Sequence, residues 1–383
     1  MLCCQPPSDE TAGRSRRPTT VVSGDERQFV CDRDSVSRET YATETYPSGV
    51  RRAGMEQRTL GTTGYRVTEV GLGTWNIGGD WGDVNDEEGR EAVRTALDAG
   101  IDFLDTADVY GDGKSERNIG TVLDERDAFD DVTVATKAGR RLDPHEPAGY
   151  NHENLERFVD RSCENLGVDS LDLLQLHCPP TEVYYQPETF DALDELRASG
   201  RVDAYGVSVE KVEEGLKAME YPGVETVQLV FNPFRQRPAD LLFHEAKRRD
   251  VGIIVRVPLA SGLLTGTIDR DTEFPENDHR NYNREGEAFD VGETFAGVPF
   301  EAGLDAVDAL RPLVPETMSM AQFTLRWILS FDAVTAVIPG STSSEHIETN
   351  VAAADLPPLS ADQHQQVTQV YDDYVREHVH QRW

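Results

Sequence analysis

The chain has 383 residues, a formal net charge of −33 and a pI near 4.5; this charge argues against nucleic acid and anionic membrane surfaces as partners, because both would be repelled. The length suffices for one large α/β barrel or two ordinary domains, and no apolar run reaches the ~18 residues of a membrane span. The five cysteines, odd in number and without metal-ligand spacing, predict a protein of the reduced cytoplasm.

Lysine is scarce in this acidic chain. Only five lysines stand against 70 aspartate and glutamate residues. Such a composition resembles proteins of salt-loving archaea, in which concentrated salt screens charge repulsion. We therefore expect a halophilic protein, with an ordinary acidic cytosolic protein as the alternative. Homo-oligomerisation is left open by the composition.

Residues 1–54 differ in character from the rest of the chain. They carry as many acidic as basic residues, are rich in Ser, Thr and Arg, and lack a sustained apolar period. This predicts a disordered extension over 1–54, followed by one domain over 55–383. We take Met55 as a candidate start of the protein, which intact-mass measurement of the native chain would test.

From Met55 onward, strand and helix patterns alternate. Two short strand patterns flanking the turn at 61–64 predict a β-hairpin. Eight further strand patterns follow, at 70–74, 101–105, 132–136, 171–177, 203–209, 226–232, 252–259 and 333–338. Helical patterns between and after them lie at 86–99, 115–123, 151–166, 187–199, up to about 219, 239–250, 302–313, 320–330, 345–353 and 361–378.

Eight successive strand–helix units predict a parallel sheet closed into a (β/α)8 barrel, with an N-terminal β-hairpin and an extra C-terminal helix. An open doubly wound sheet is the alternative. Its glycine-rich dinucleotide fingerprint is missing, because Gly71-Leu72-Gly73 continues with Thr-Trp-Asn. In barrels the chemistry lies at the C-terminal ends of the strands. The polar stretch 267–298 follows the seventh strand on that rim and is typical of a lid or binding loop.

Three predicted strand ends carry a titratable residue each, Asp105, Lys137 and His177, and Tyr110 follows the first in a loop. Tyrosine has a reference pKa of about 10, which a neighbouring lysine ammonium is expected to lower. Asp105 would keep Lys137 charged, and His177 would position a carbonyl oxygen. Tyr110 would give its proton to that oxygen as a hydride arrives at carbon. Each residue alone has an ordinary structural explanation, but together they predict carbonyl reduction or alcohol oxidation.

These residues belong to an ordered series of motifs. The series is Gly71-Leu72-Gly73-Thr74-Trp75, Asp105-Thr106-Ala107, Tyr110-Gly111, Ser115-Glu116, Ala135-Thr136-Lys137, Gln175-Leu176-His177, Gly206-Val207-Ser208, Pro258 to Leu264, and Ile338-Pro339-Gly340. It resembles an aldo-keto reductase, and more narrowly a haloarchaeal one, over residues 55–355. The resemblance implies a catalytic tetrad of Asp105, Tyr110, Lys137 and His177. It also implies a nicotinamide cofactor, NADP(H) or NAD(H), extended across the rim.

The resemblance also implies where this cofactor would be contacted. The contacts are Ser208 and Gln228 at the carboxamide, Leu259, Ser261 and Gly262 at the pyrophosphate, Ser341, His346 and Asn350 near the adenosine end, and further Thr74, Trp75, Asp105, Arg256, Pro258, Leu263 and Gly340. A helix beginning near residue 344 would favour a phosphate there. No metal ligand set is implied.

Three positions depart from the family pattern. Val209 stands where many members have an asparagine after the serine of the Gly-x-Ser motif. Arg256 stands where an aromatic ring often stacks on the nicotinamide, and a fixed cation there would disfavour the oxidised ring and favour reduction. No Lys or Arg stands at Gly340, Thr342 or His346, where the 2′-phosphate of NADP is usually held. NAD or dual use is therefore open.

Carbonyl reduction is the favoured function, with an aldehyde, ketone or sugar, or the corresponding alcohol, as the small-molecule partner. Trp75, Trp81 and the 267–298 stretch are expected to wall the substrate pocket. The alternative is a cofactor-binding, redox-sensing regulatory subunit with little turnover, as some family members are beside ion channels. A metal-dependent barrel hydrolase would need clusters of His and carboxylates at strand ends, and only His177 qualifies.

Overall fold

The computed structural model describes residues 55–79, 81 and 84–383, so the predicted disordered extension over 1–54 lies outside the described residues. The strands are β1 Gln57–Thr59, β2 Arg66–Thr68, β3 Leu72–Gly73, β4 Phe103–Asp105, β5 Thr133–Ala138, β6 Leu171–His177, β7 Val202–Ser208, β8 Val224–Val230, β9 Gly252–Arg256 and β10 Val334–Val337. The helices are α1 Trp75–Gly78, α2 Asp86–Asp98, α3 Lys114–Arg126, α4 His152–Leu166, α5 Pro187–Ala198, α6 Val212–Ala218, α7 Leu242–Arg249, α8 His279–Tyr282, α9 Phe300–Leu310, α10 Met320–Leu329, α11 Ser344–Ala352, α12 Ala361–Val370 and α13 Arg376–Val379.

Strands β3 to β10 form one parallel sheet in which each strand pairs with the next along the chain. The two edges meet through bridges between Val70 and Val337 and between Gly73 and Gly340. The Gly71 amide donates to Val337 O at 2.9 Å. The predicted (β/α)8 barrel is confirmed. Its first strand is shorter than predicted because its outer residues pair only through these single bridges.

The hairpin of β1 and β2 closes the N-terminal end of the barrel. Leu60 and Val67 are fully buried and join an interior cluster that includes Phe103, Leu173 and Ile254. A Cβ on Gly61 would lie 2.2 Å from Glu225 O, next to the start of β8. The hairpin therefore fills one mouth of the barrel and leaves the opposite mouth for a site.

The extra C-terminal helix is also confirmed, in a more complex form than predicted. A π-helical turn, Tyr371–Val375, lies between α12 and α13. The chain then ends on Trp383, which is buried. The Trp383 indole Nε1 donates to Asp290 Oδ1 at 2.9 Å, in the segment between β9 and α9. The C-terminal segment therefore supports that part of the rim.

The stretch 267–298 is an ordered wall of the barrel mouth, although its composition predicts only a polar loop. It contains α8 and short 3-10 turns, and Asn283 is fully buried and accepts hydrogen bonds from the amides of Ala288 and Phe289. The strand before it ends earlier than predicted, at Arg256, because Val257 takes a φ of +51°. Among the described residues, no helix has the length and apolar character that crossing a bilayer requires.

Candidate active site

The structure brings the four predicted catalytic residues together at the C-terminal mouth of the barrel. Asp105 ends β4, Lys137 lies at the end of β5, and His177 ends β6. Tyr110 lies in the turn that follows β4. The first three are nearly inaccessible to solvent, with exposures of 3%, 1% and 4%. The parallel register of the sheet places them at one level, so they form one site.

Lys137 is at the centre of this group. Its Nζ donates to Asp105 Oδ1 at 2.5 Å, to Thr106 O at 2.8 Å and to the Tyr110 hydroxyl at 3.5 Å. Burial opposes its charge, but the attraction of Asp105 is strong enough that the pKa of Lys137 is raised above its ordinary value. A permanent ammonium group therefore stands beside the Tyr110 hydroxyl.

The second carboxylate oxygen of Asp105 is held from the far side of the barrel. Gln228 Nε2 donates to Asp105 Oδ2 at 2.7 Å, and Gln175 Nε2 lies 3.3 Å from the same oxygen. Ser208 Oγ donates in turn to Gln228 Oε1 at 3.2 Å. Hydroxyl, amide, carboxylate and ammonium thus form one hydrogen-bonded chain across four strands. The predicted carboxamide contacts Ser208 and Gln228 are members of this chain.

Tyr110 differs from the prediction in the sign of its pKa shift. Burial is the largest influence and raises the pKa of Tyr110, whereas Lys137 lowers it without overcoming burial. The prediction of a lowered pKa was therefore wrong for the protein without ligands. Trp75 stacks with the Tyr110 ring at 6.3 Å between ring centroids, and the His177 ring meets it edge-on at 5.8 Å. The phenol is protonated and fixed in direction.

The turn that carries Tyr110 is fixed by two glycines. Gly111 has a φ of +57°, and a Cβ on it would lie 2.1 Å from the backbone oxygen of Gly78 in α1. Only glycine allows both this conformation and this close approach. The Tyr110-Gly111 pair therefore combines the reacting hydroxyl with the backbone contact that sets its position.

His177 is neutral in this surrounding. Burial, followed by the charges of Arg140, Lys137 and Arg256, holds the pKa of His177 well below its ordinary value. Its Nδ1 is buried and has no hydrogen-bond partner within the described part of the chain. A neutral imidazole offers one N–H donor and one acceptor. His177 is therefore able to donate a hydrogen bond to a ligand oxygen without carrying charge.

A cavity of about 710 Å³ extends along the barrel mouth from Tyr110 and His177 toward the first turn of α11. A volume of this size is typical of ligand sites. It is lined by most of the residues assigned to the cofactor from the resemblance: Thr74, Trp75, Asp105, Gln228, Arg256, Pro258, Leu259, Ser261, Gly262, Gly340, Ser341, His346 and Asn350. Ser208 and Leu263 are not on its wall. Ser208 lies behind Gln228, and Leu263 is fully buried.

The turn after β9 has an unusual backbone on the cavity side. Val257, Ala260 and Ser261 have φ values of +51°, +47° and +52°, and Gly262 has +97°. Left-handed conformations are costly for residues with a Cβ and cluster at ligand sites. Ser261 Oγ accepts from the Phe295 amide and donates to Glu293 O, both at 3.1 Å. The turn is thus held in place by the 267–298 wall.

The other end of the cavity is formed by the start of α11. Ser343 caps this helix, and its side chain accepts from the His346 amide at 3.4 Å. Ser341 Oγ accepts from the Ser343 amide at 3.0 Å. Helix N-termini present free amides and a partial positive charge. This end therefore offers neutral donors to an anionic group.

Sequence reasoning identifies Arg256 but misses three other charged residues of this mouth, Arg140, Arg280 and Glu293. Arg140 Nη2 donates to Glu293 Oε1 at 2.6 Å. Arg256 Nη1 lies 3.5 Å from the same oxygen, and its Nη2 donates to Val209 O at 3.1 Å. Arg280 lines the cavity, pairs with Asp278 at 2.6 Å and lies 4.8 Å over the Trp81 ring. Glu293 and Arg280 belong to a polar stretch that gives no periodic signal.

One side of the mouth is aromatic, and it contains Trp75 and Trp81, whose role as walls of a substrate pocket stays a prediction. Their rings meet edge-on at 5.7 Å between centroids. His279 and Phe289, both from the 267–298 stretch, lie 4.7 and 5.7 Å from the Trp75 ring. Both tryptophans line the cavity. A ligand at Tyr110 would thus be enclosed on one side by apolar rings.

Comparisons with known proteins agree with this geometry. The aldo/keto reductase family profile matches residues 69–372. The protein named aldo-keto reductase YhdN of Bacillus subtilis is 30% identical over 300 residues, covering 77% of this chain and 87% of its own length. A protein of Arabidopsis thaliana, named a probable voltage-gated potassium channel subunit beta, is 26% identical over 319 residues, covering 80% and 93%.

Solved structures agree as well. The glycerol dehydrogenase of Gluconobacter oxydans superposes with a TM-score of 0.67 at 26% identity, covering 85% of this chain and 96% of that one. The residues matched by the family profile include all eight strands of the barrel and the rim on which the four residues lie. The chain belongs to the aldo/keto reductase family of NAD(P)-dependent oxidoreductases.

Proposed function

We propose that this chain reduces the carbonyl group of an aldehyde, ketone or sugar, with Tyr110 as the proton donor. The observation that carries the proposal is the Tyr110 hydroxyl, 3.5 Å from the buried ammonium of Lys137, on the wall of the 710 Å³ cavity. A nicotinamide cofactor, when bound, supplies the hydride. The roles of the four residues follow from their surroundings.

Tyr110 begins the reaction protonated, because burial raises its pKa. As negative charge develops on the carbonyl oxygen, that oxygen becomes a stronger base and takes the phenolic proton. The Lys137 ammonium then stabilises the phenolate, and Asp105 keeps this ammonium charged. Neutral His177 donates a hydrogen bond that positions the carbonyl oxygen. The raised pKa of the resting phenol is therefore compatible with a general acid.

The cavity wall fits a nicotinamide dinucleotide. Glycines and small polar residues line its length, and the left-handed turn after β9 directs backbone toward it, an arrangement typical of anion-binding loops. Arg280, which Asp278 holds, lies beside Gly262 and is placed to face a pyrophosphate. The adenosine end offers Ser341, His346 and the α11 amides but also Glu345. This combination supports use of NAD as well as NADP.

Turnover is the direct test. We expect NADH and NADPH oxidation with aldehydes in molar KCl, and a fall of about 10²–10⁴-fold in kcat/KM for Tyr110→Phe. Tyr65→Phe is the matched control, because the Tyr65 hydroxyl donates to Asp203 at the opposite end of the barrel. Equal activity of the wild type and Tyr110→Phe would refute the assignment of the proton donor.

A regulatory subunit with little turnover is the second candidate, favoured by the name of the Arabidopsis relative. It predicts cofactor binding without carbonyl-dependent oxidation of NAD(P)H across a broad panel of carbonyls. The hydrogen bonds of Lys137 to Asp105 and Tyr110 favour the enzyme, because a binding function does not require a charged lysine beside a tyrosine hydroxyl.

We further propose a halophilic, cytoplasmic protein whose enzyme domain spans residues 55–383. The support is compositional: five lysines and a net charge of −33. Screening of that charge predicts higher stability in molar KCl than in 0.1 M KCl. Thermal unfolding at the two salt concentrations tests this, and sedimentation in the same buffers gives the oligomeric state.

A further inference from the structure

A second group of largely buried charges lies beside the tetrad, and the reaction proposed above gives none of its members a contact with the substrate. Arg140 follows β5, Arg256 ends β9, and Glu293 belongs to the 267–298 wall. Arg140 Nη2 lies 2.6 Å from Glu293 Oε1, and Arg256 Nη1 lies 3.5 Å from the same oxygen. One carboxylate is thus shared by two guanidinium groups.

The positive charge of this arginine pair is incompletely balanced near neutral pH. Burial opposes the ionisation of Glu293, but Arg140 and Arg256 hold its pKa below the ordinary value, so it is charged. Glu210 Oε1 lies 3.4 Å from Arg140 Nη2. Burial, with repulsion from Asp290 and Glu293, raises the pKa of Glu210 to about 7. Two cations therefore face one full and one partial negative charge.

Arg256 lines the pocket of the reacting groups, and Arg140 is joined to that wall through its ion pair with Glu293. Arg256 and Glu293 line the same cavity as Tyr110 and His177. After burial, the charge of Arg140 is the largest influence on the pKa of His177, ahead of Lys137. Because Glu293 lines this cavity, a group that replaced its carboxylate between the two arginines would lie in the pocket that receives the carbonyl.

Glu293 is held in two different ways. Its backbone oxygen accepts from Ser261 Oγ at 3.1 Å, which ties the chain to the turn after β9. Its carboxylate pairs with Arg140 and Arg256. The side chain can therefore leave the arginines by rotation about its own bonds while the backbone stays in place.

We propose that Arg140 and Arg256 recognise an anionic group on the substrate, and that the Glu293 carboxylate occupies their site until such a group displaces it. The substrate class is a carbonyl compound that carries a carboxylate or phosphate, the groups that guanidinium binds best. The proposal rests on the proposed function and specifies its substrate. In a chain of net charge −33, local arginines also offset the repulsion of an anion.

A metal ion is the competing explanation for this cluster. Cys178, Glu210 and Glu293 have ligand atoms within 4.8 Å of one another. However, Arg140 and Arg256 lie against these atoms, with Arg256 Nη2 3.6 Å from Cys178 Sγ. Two guanidinium groups would repel a cation, whereas they attract an anion. The cluster therefore fits an anion better.

The test compares matched charged and neutral substrates at fixed KCl. The pairs are succinic semialdehyde with butanal, and glyceraldehyde 3-phosphate with glyceraldehyde, so the two pairs separate carboxylate from phosphate. For Arg140→Met we expect kcat/KM for at least one anionic substrate to fall 30-fold or more beyond the change for its neutral partner. For Glu293→Gln we expect KM for that anionic substrate to fall about tenfold, because the competing charge is gone.

Arg141→Met is the matched control, since Arg141 is the next residue and pairs with Asp112 at 2.6 Å. It removes the same charge from the chain and should not change the preference. The proposal is overturned if Arg140→Met affects both members of each pair equally, or if Glu293→Gln raises the KM of the anionic substrates. A purely structural role of Glu293 predicts the latter result.

A binding measurement separates this proposal from the proposed function. Succinate, which cannot be reduced, should quench the fluorescence of the cavity tryptophans in the wild type and about tenfold more weakly in Arg140→Met. If succinate binds in this way but no carbonyl is reduced, the proposed function fails and the anion site stands. If neutral carbonyls are reduced without any charge preference, the anion site alone fails.

Discussion

Two buried charge clusters share the mouth of this barrel, and they are built differently. The Lys137–Asp105 pair belongs entirely to strand ends, and its carboxylate also accepts from the amides of Gln228 and Gln175. The Arg140–Glu293–Arg256 cluster takes its carboxylate from the wall segment after β9, and that carboxylate is shared by cations alone. The Lys137–Asp105 pair is thus fixed by further hydrogen bonds, whereas the Glu293 carboxylate of the second cluster can be displaced.

This difference in construction suits two different tasks, proton transfer in the first cluster and substrate recognition in the second. A proton donor must keep one geometry through every turnover, so its lysine is fixed by neighbouring strands. A recognition site has to exchange its partner with each substrate. A carboxylate on a segment outside the sheet can be exchanged without disturbing the barrel. The experiments below test this distinction, from the largest expected effect to the smallest.

Loss of the fixed cation should have the largest effect. For Lys137→Met we expect kcat/KM to fall about 10²–10⁴-fold, because the phenolate left by Tyr110 loses its stabilising charge. Steady-state NAD(P)H oxidation measures this. Lys217→Met is the control, since Lys217 pairs with Glu220 on the surface. A loss of less than tenfold in kcat/KM would contradict the assignment of proton transfer to the Lys137–Asp105 pair.

Loss of the fixed anion should be costly for stability. Asp105→Asn leaves the ammonium of Lys137, which is only 1% exposed, with neutral oxygen acceptors and no negative partner. We expect the free energy of unfolding to fall by about 3–5 kcal/mol, the range for an uncompensated buried charge. Glu293→Gln should cost only about 1 kcal/mol, because the Arg140 and Arg256 side chains are 18% and 11% exposed and Glu210 still lies 3.4 Å from Arg140. Urea unfolding of both variants gives the comparison, and equal losses would contradict it.

Asp108 is a buried carboxylate that forms no ion pair with a lysine or arginine among the described residues, and its pKa is shifted as a result. It is fully buried and its oxygens make no side-chain hydrogen bond in the described part of the chain. Burial with repulsion from Glu116 raises its pKa from 3.8 to about 7, against the smaller opposing effects of Arg141, Arg161 and the Val109 amide. Between these values the folded state binds more protons than the unfolded state. Stability should therefore fall as the pH rises from about 4 to 7.

Replacement of Asp108 should remove this dependence. At pH 8 we expect Asp108→Asn to exceed the wild type by roughly 2–4 kcal/mol in the free energy of unfolding, and to match it closely near pH 4. Denaturant unfolding across this pH range is the measurement. A variant that is less stable than the wild type at pH 8 would show that the ionised carboxylate has a stabilising partner.

The smallest effect concerns the predicted bias toward reduction. Arg256 is not an isolated cation, because Glu293 stands 3.5 Å away. For Arg256→Phe we expect affinity for the oxidised cofactor to rise only about threefold relative to the reduced form, on the scale of a partly neutralised charge. Fluorescence titration with both forms measures the ratio. An unchanged ratio would remove Arg256 from the cofactor's electrostatics.

The sequence predicted the fold well because strand and helix patterns have different periods. It also predicted Asp105, Lys137 and His177 at one rim, since parallel strands align their C-terminal ends. It did not predict the sign of the Tyr110 pKa shift, because burial depends on Trp75 and the rest of the surrounding structure. The Arg140–Glu293 pair joins positions 153 residues apart, and Glu293 belongs to a stretch without periodic signal. Such a pair is visible only in three dimensions.

The hydrogen bond between Gln228 and Asp105 spans 123 positions of the sequence and joins opposite halves of the barrel. During synthesis, the first half of the chain would emerge with Asp105, Lys137 and the more distant Gln175 amide, but without the Gln228 amide that makes the shorter hydrogen bond to the carboxylate. The reactive arrangement thus depends on ring closure, so partly made or cleaved chains should be inert. Catalytic competence would then report the completeness of the barrel and could serve as a direct readout of its assembly.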